Sequence, residues 1–379
     1  MSRSLWLTRV GVTLLTTVSV GVAGAPSALA ASTGVVSVTE RSKVQYRAAT
    51  GKQNRVVVTR SGRTVTIDDR MAIRAGKGCK QVKGDRTRVR CTLRTVPTQV
   101  RVHTYDRADS VTNRTGIPLN AEGGSAADVL TGGSADDRLH GGTGADRLSG
   151  GAGNDWFSGG TGHDRISGGA GRERIFAGPG NDVVYAGDGD DYLDGDSGND
   201  RLFGQAGKDI VLGEQGADHL DGGAGEDYLV GDDYSSGTWA DVLLGGDGVD
   251  VVSYGLYERA VTVDLTGTPR NDGRSGERDT VGADVEDVYG GGGSDAIYGN
   301  AAANAIYGNM GDDLIRGGAG NDRLIGLEGR DRIYGDAGDD WLSAVDAPEL
   351  PDSLDGGTNG PAGDECWHTA VDTVTNCER

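Results

Sequence analysis

The sequence is poor in the residues that fill a globular core. Among 379 residues only 5% are aromatic, and there are three phenylalanines, three methionines and eight prolines. A chain of this length has room for two or three domains. The shortage of large side chains argues against a conventional hydrophobic core for most of it.

Positive charge is also scarce, and it is unevenly distributed. The net charge of −20 argues against general nucleic-acid binding by the whole chain. Residues 32–122 nevertheless carry +12, whereas residues 123–379 carry −34, which marks a boundary between two parts. The basic part suits binding of an anionic cell-wall or extracellular polymer, or a solvated surface that faces an acidic neighbour. We favour the second interpretation because aromatic residues are not interleaved with the basic ones, and we expect no nucleic-acid partner.

Motifs for catalysis are missing as well. The zinc-protease motif H-E-x-x-H and the nucleophile motif G-x-S-x-G are absent, and the five histidines stand apart from one another. We therefore expect a non-catalytic protein with a structural or adhesive role. The alternative is a secreted hydrolase or lyase with an unrecognised site in residues 32–122 or 231–289.

The N-terminus has the pattern of a cleaved secretory signal. Arg3 and Arg9 precede an apolar run at 10–24, and Ala28-Leu29-Ala30 forms a small-x-small cleavage pattern. The run is shorter than the roughly 20 residues of a membrane span. We predict a signal peptide over 1–31, a mature N-terminus at Ala31 or Ser32, an extracellular location and no membrane span after cleavage.

The four cysteines form two local pairs. Such pairs in an exported protein predict the disulfides Cys79–Cys91 and Cys366–Cys377. Zinc is the competing interpretation, but zinc-binding cysteines usually lie two to four residues apart, and these pairs are wider.

Glycine and aspartate, in contrast, are abundant and periodic. From Gly123 to Val230 the chain divides into twelve consecutive nonapeptides, with an acidic residue at position six and a large apolar residue at position eight of each. A second block over 290–343 contains six more nonapeptides, and residues 245–253 form a solitary one. A register held for 108 residues indicates a repeat architecture.

This division predicts six parts. They are the signal peptide at 1–31, a small basic β domain at 32–122, a first repeat block at 123–230, a spacer with long loops at 231–289, a second block at 290–343, and a disulfide-closed cap at 344–379. In the basic part, segments such as 55–59, 64–67 and 100–102 alternate apolar and polar residues as strands do.

The nonapeptide pattern resembles the RTX, or hemolysin-type, calcium-binding repeat, G-G-x-G-x-D-x-U-x. Residues 137–155 follow it without a break. The resemblance implies an all-β fold, a right-handed parallel β-roll in which each nonapeptide provides a turn and a short strand and two nonapeptides complete one coil. It also implies multiple bound Ca²⁺ ions. RTX proteins leave the cell by a route guided by a C-terminal signal, so the N-terminal signal here is a departure from the family.

Physical chemistry agrees with calcium as the ligand. Coils stack ~4.8 Å apart, so aspartates two nonapeptides apart face and repel each other. Ca²⁺ prefers six to eight oxygen ligands, which carboxylates and the carbonyls of glycine-rich turns supply. The sequence therefore predicts calcium ligands at Asp128, Asp137, Asp146, Asp155, Asp164, Asp182, Asp191, Asp200, Asp209, Asp218, Asp227, Asp250, Asp295, Asp313, Asp322, Asp331 and Asp340.

One nonapeptide of the first block departs from the pattern. Residues 168–176 read GGAGRERIF, with Glu173 at position six between two arginines. We expect Arg172 or Arg174 to pair with Asp155 or Asp191 on the adjacent coils and to replace calcium there.

Overall fold

The computed structural model describes residues 33–232, 237–269, 271–345, 349–360 and 362–378. The predicted signal peptide at 1–31 lies outside these residues. The described part of the chain is all-β and contains no helix, so it offers no helical segment capable of crossing a membrane. The all-β prediction is confirmed.

Thirty-eight strands follow one another in the described part of the chain. Those of the N-terminal part are β1 (Gly34–Glu40), β2 (Lys43–Arg47), β3 (Arg55–Ser61), β4 (Thr64–Asp68), β5 (Ile73–Ala75), β6 (Cys79–Gln81), β7 (Arg88–Thr92), β8 (Gln99–His103) and β9 (Ser110–Asn113). Those of the first repeat block are β10 (Leu119–Ser125), β11 (Val129–Thr131), β12 (Arg138–Thr143), β13 (Arg147–Ala152), β14 (Trp156–Thr161), β15 (Arg165–Ala170), β16 (Arg174–Phe176), β17 (Val183–Asp188), β18 (Tyr192–Asp194), β19 (Arg201–Ala206), β20 (Ile210–Glu214), β21 (His219–Gly225) and β22 (Tyr228–Asp232).

The remaining strands lie in the spacer, the second block and the C-terminal part. They are β23 (Val242–Gly248), β24 (Val251–Ser253), β25 (Val261–Asp264), β26 (Gly273–Arg274), β27 (Thr280–Val281), β28 (Asp287–Tyr289), β29 (Ala296–Tyr298), β30 (Ala305–Met310), β31 (Leu314–Ala319), β32 (Arg323–Glu328), β33 (Arg332–Gly338), β34 (Trp341–Ser343), β35 (Ser353–Asp355), β36 (Thr358–Asn359), β37 (Glu365–Trp367) and β38 (Thr373–Thr375).

The repeats build a parallel β-solenoid in which each strand pairs with the strand two positions further along the chain. In β13 and β15, for example, Leu148 lies opposite Ile166, one coil or 18 residues further on. Odd-numbered strands of the first block join a 13-stranded sheet, here sheet B, and even-numbered strands join a 17-stranded sheet, here sheet A. Further along the chain a third sheet of eight strands, here sheet C, takes the place of sheet B. It contains β25, β26, β29, β31, β33, β35, β36 and β38, while sheet A continues through β28, β30, β32, β34 and β37.

The core is one apolar side chain deep. The position-eight residue of each short strand points inward, as Leu139 and Phe157 do with no exposed surface, while its neighbours on the strand point outward. This alternation follows from the two-residue period of a strand. The turns between the strands place position six inward as well, which brings the acidic residues into the interior.

Residues 33–122 form a small β structure that continues into the roll. Strands β3, β4, β7 and β6 pair antiparallel, and the Cys79–Cys91 disulfide joins β6 to β7. Strand β8 pairs with β10, and β9 pairs with β11, both in parallel, so the sheets extend without interruption into the repeats. A second disulfide, Cys366–Cys377, joins β37 to the segment that follows β38. Both predicted disulfides are confirmed.

Candidate metal centre

The position-six carboxylates form continuous columns inside the roll. The Oδ1 atom of each aspartate accepts a hydrogen bond from the backbone N–H of the residue one coil earlier, as Asp146 accepts from Asp128 at 2.7 Å and Asp164 accepts from Asp146 at 2.7 Å. All seventeen aspartates proposed as ligands are at most 3% exposed. The fold therefore removes a stack of carboxylates from water.

The second oxygen of most of these carboxylates has no partner. Oδ2 is buried and accepts no hydrogen bond from any described residue in Asp128, Asp146, Asp155, Asp164, Asp182, Asp191, Asp200, Asp209, Asp218, Asp227, Asp250, Asp313, Asp322 and Asp340. A buried, unpaired carboxylate oxygen costs several kcal/mol unless a proton or a cation compensates it. So many such atoms in register indicate a ligand that the polypeptide alone does not provide.

Burial raises the pKa of these carboxyl groups far above the ordinary value. The pKa rises to about 7 for Asp128 and Asp200 and to about 8 for Asp218, because desolvation disfavours the charged form. Carboxylates on adjacent coils raise it further, whereas the backbone N–H bond lowers it. Near neutral pH these three groups are thus poised between holding a proton and binding a cation.

Backbone carbonyls lie beside the unpaired oxygens. A Cβ atom built on Gly195 would lie 2.7 Å from Oδ2 of Asp200 and 2.7 Å from the carbonyl oxygen of Gly213 on the next coil. The same arrangement recurs at Gly213, with Oδ2 of Asp218 at 2.8 Å and the carbonyl of Gly231 at 2.6 Å. Each turn therefore directs hard oxygen atoms into a space that only glycine leaves open.

This donor set fits Ca²⁺, which takes carboxylate and carbonyl oxygens in flexible geometry. Within the described ranges, no three His, Cys, Asp or Glu side chains come together as a metal cage built from side chains would require. Backbone carbonyls would therefore have to supply most of the ligands at each position.

Two of the proposed ligands are already satisfied by the protein. Oδ2 of Asp137 accepts a hydrogen bond from the N–H of Gly133 at 2.6 Å, and Oδ2 of Asp295 accepts one from Gly291 at 2.7 Å. Both turns lack the positive φ that position two adopts in most nonapeptides, such as φ 113° at Gly142. The turn conformation thus determines whether the N–H group of position two donates a hydrogen bond to the carboxylate of the same turn.

Comparison with protein-family models matches the chain to the RTX calcium-binding nonapeptide repeat. The matches cover residues 122–157, 140–172, 149–184, 167–202, 203–233, 282–315, 289–324 and 316–344. The two repeat blocks consist of RTX repeats. A comparison with curated proteins finds no match. The family binds calcium through these repeats, in agreement with the donor set described above.

Glu173 interrupts the series of carboxylate hydrogen bonds in the RTX roll in a way that the sequence did not predict. Both of its carboxylate oxygens are buried without a hydrogen-bond partner, and burial together with Asp191 raises its pKa to about 8. Arg172 pairs instead with the exposed Asp190 at 2.6 Å, and Arg174 is exposed on the outer face and makes no ion pair with a described residue. The predicted pairing of either arginine with Asp155 or Asp191 is wrong, because positions five and seven point outward where position six points inward.

Five further carboxylates occupy the same columns. Each takes part in a coil-to-coil hydrogen bond of 2.7–3.0 Å between a backbone N–H group and an Oδ1 atom. Asp109 donates its N–H group, and the Oδ1 atoms of the other four accept; the five residues are Asp109, Asp241, Asp279, Asp352 and Asp364. Insertions or missing glycines hide these residues from the nine-residue register. The signal that could have found them is shorter: an aspartate two residues before an inward apolar residue, as in Asp241-Val-Leu243.

Proposed function

We propose that this is a secreted calcium-binding protein whose β-roll folds when it binds multiple Ca²⁺ ions outside the cell, and that its role is structural or adhesive rather than catalytic. The observation that supports it most is the column of buried, unpaired Oδ2 atoms beside backbone carbonyls. Secretion rests on the N-terminal signal pattern and on the two disulfides.

The energetics favour folding that depends on the ion. Without a cation, the roll would bury a stack of like charges over a core one side chain deep. A single site with a Kd of about 10⁻⁴ M gains ~1.4 kcal/mol at millimolar calcium, and about ten such sites gain on the order of 10 kcal/mol. That is comparable to the whole stability of a domain.

Far-UV circular dichroism at pH 7.5 tests this proposal. We expect a largely unfolded spectrum in chelator, a β spectrum in millimolar calcium, and little effect of millimolar magnesium, which demands octahedral geometry and retains its waters. An identical folded spectrum in chelator and in calcium would contradict calcium-dependent folding.

Secretion and partners need separate tests. N-terminal sequencing of protein from the medium is expected to begin at Ala31 or Ser32, and a sequence beginning at Met1 would contradict the signal peptide. An anionic cell-wall polymer that contacts residues 32–122 belongs to the same proposal, since that part carries +12. A broad hydrolase panel in calcium distinguishes the non-catalytic role from an enzyme.

A further inference from the structure

One segment of this acidic protein has a surface without exposed carboxylates. Between residues 138 and 187 the acidic residues are Asp146, Asp155, Asp164, Glu173 and Asp182, and all five are at most 2% exposed. The same segment contains five arginines and two histidines, so its exposed charge is entirely basic. The position-six pattern produces this result because it draws every carboxylate of the segment into the interior.

The outer face of sheet A carries three adjacent aromatic rings, two in this segment and a partly buried third just after it. Trp156, Phe176 and Tyr192 lie on the consecutive strands β14, β16 and β18, with ring centroids 6.1 Å apart for the first pair and 5.8 Å for the second. Trp156 and Phe176 are 36% and 37% exposed. We call these three residues the aromatic platform.

Two arginines flank Trp156 in register. Arg138, Trp156, Arg174 and Tyr192 occupy directly paired positions on four successive strands of the sheet. Neither arginine forms an ion pair with a described residue, and both are exposed. The carboxylate of Glu122 lies on the same face one strand beyond Arg138, and that of Asp194 lies opposite Phe176 on the strand of Tyr192, so the purely basic part of this face is the part around Arg138, Trp156 and Arg174.

We propose that the aromatic platform with Arg138 and Arg174 binds an extended glycan that carries an anionic group on every second sugar. Exposed aromatic rings stack against the apolar faces of sugar rings, and a guanidinium binds a carboxylate or sulfate through paired, charge-assisted hydrogen bonds. A sugar ring in an extended chain is about as long as the rise of one coil, so successive sugars meet successive strands.

The spacing of the arginines favours a glycan over single-stranded nucleic acid. Arg138 and Arg174 are two coils apart, or roughly 10 Å, with an aromatic ring between them. That matches an anionic group on alternate sugars, whereas a nucleic acid carries a phosphate on every nucleotide and needs a denser row of cations. This glycan site is separate from the calcium sites inside the roll. It rests on the proposed function, because it requires the folded, calcium-bound roll.

Binding of hyaluronan oligosaccharides, which carry a carboxylate on every second sugar, tests the proposal by calorimetry in saturating calcium. Circular dichroism on the same samples shows whether each variant is folded, so a failure of calcium-dependent folding is distinguished from a failure of glycan binding. We expect Arg138→Ser/Arg174→Ser and Trp156→Ser each to weaken binding by roughly tenfold or more.

Matched controls exist on the same roll. Arg147→Ser/Arg165→Ser removes two arginines from the same repeat position on the opposite sheet, and Trp367→Ser removes an exposed tryptophan near the far end of sheet A. Both controls are expected to bind within about twofold of the parent, since surface charge away from the contact contributes little. Equal losses in the two arginine variants would overturn the proposal, as would absence of binding in the folded parent. Oligothymidylate that binds the platform as tightly as hyaluronan would replace it with nucleic-acid binding.

Discussion

The two carboxylate oxygens of a position-six aspartate differ in their partners. In Asp155, Oδ1 accepts the N–H of Asp137 at 2.7 Å and Oδ2 is unpaired, whereas in Asp137 both oxygens accept backbone hydrogen bonds. Replacement by asparagine keeps the shape of the side chain and its acceptor but removes the charge. Comparing this replacement at Asp155 and at Asp137 therefore separates the hydrogen-bonding role of an aspartate from its calcium-binding role.

Asp155→Asn is expected to destabilise the roll in calcium but not in chelator. In millimolar calcium we expect the free energy of unfolding to fall by about 1–2 kcal/mol, the value of one weak site. In chelator, where the parent is expected to be largely unfolded, we expect the variant to retain at least as much β structure, because a buried unpaired charge has been removed. Thermal unfolding and a count of bound ions measure the first effect, and far-UV circular dichroism measures the second.

Asp137→Asn provides the control for this prediction, because its carboxylate already has two internal donors. It is expected to bind as many ions as the parent. A loss of ions equal to that of Asp155→Asn would show that the internal hydrogen bond of Asp137 does not set its role.

At the scale of the turn, position two has a conformation that favours glycine. Gly187 and Gly223 have φ of 125° and 106°, and Gln205 occupies the coil between them with φ of 80°. A residue with a Cβ atom in this region costs about 1–2 kcal/mol relative to the right-handed region. Gln205 is exposed, so little packing offsets this strain.

Gln205→Gly should therefore raise the free energy of unfolding in calcium by roughly 1 kcal/mol, less the entropy that glycine gains in the unfolded chain. Denaturant unfolding in calcium measures the change. Gln205→Ala retains the Cβ atom and is expected to leave stability almost unchanged. A destabilised glycine variant would mean that the side chain makes a contribution that outweighs the strain.

The rung at Glu173 breaks the series of N–H to carboxylate bonds. Asp137 donates to Asp155, but neither oxygen of Glu173 accepts a hydrogen bond, and its additional methylene places Cγ beside Gly168. Glu173→Asp is expected to restore the bond from Asp155, to stabilise the calcium-bound roll by about 1 kcal/mol, and to add an ion. The reciprocal change Asp182→Glu is expected to destabilise it. Titration calorimetry measures both, and an unchanged ion count in Glu173→Asp would contradict this explanation.

The sequence predicted the repeated elements well and the irregular ones less well. The nine-residue register specifies which apolar residue points inward, so Leu148 is buried as expected, whereas the burial of Asp146 is seen only in the fold. Where insertions break the register, the interior is still filled by an aspartate followed by an apolar residue, and only the fold reveals that Asp241 and Asp279 continue the column. The partner of Arg172 was mispredicted because position five lies in the turn before the strand, where the two-residue period of a strand gives no direction.

At the scale of the whole molecule, the N-terminal part and the repeats share their sheets. Strand β8 pairs in parallel with β10, and β9 with β11, so the first coil packs against the N-terminal part. That part contains both cysteines of its own disulfide, Cys79–Cys91. A solenoid needs an end that shields its core. Residues 33–122 thus form a folded end against which the first coil packs.

Protons and calcium compete for the same carboxylates throughout the roll, which predicts a reversal of pH dependence. The folded-state pKa values of about 6 to 8, for example at Asp164, Asp128 and Asp313, lie above the ordinary 3.8. The metal-free fold therefore binds more protons than the unfolded chain, so its stability is greatest at acidic pH and is lost as the pH rises through about 7. Calcium must displace these protons, so its apparent affinity should fall as the pH decreases below about 7.

We expect metal-free protein, prepared on a chelating resin, to gain β structure as the pH is lowered from 8 to 5. We expect the calcium concentration at half-folding to rise over the same change in pH. Circular dichroism at constant ionic strength measures both trends. Metal-free protein that becomes more stable as the pH rises from 5 to 8 would contradict the burial of protonated carboxyl groups in the calcium-free roll.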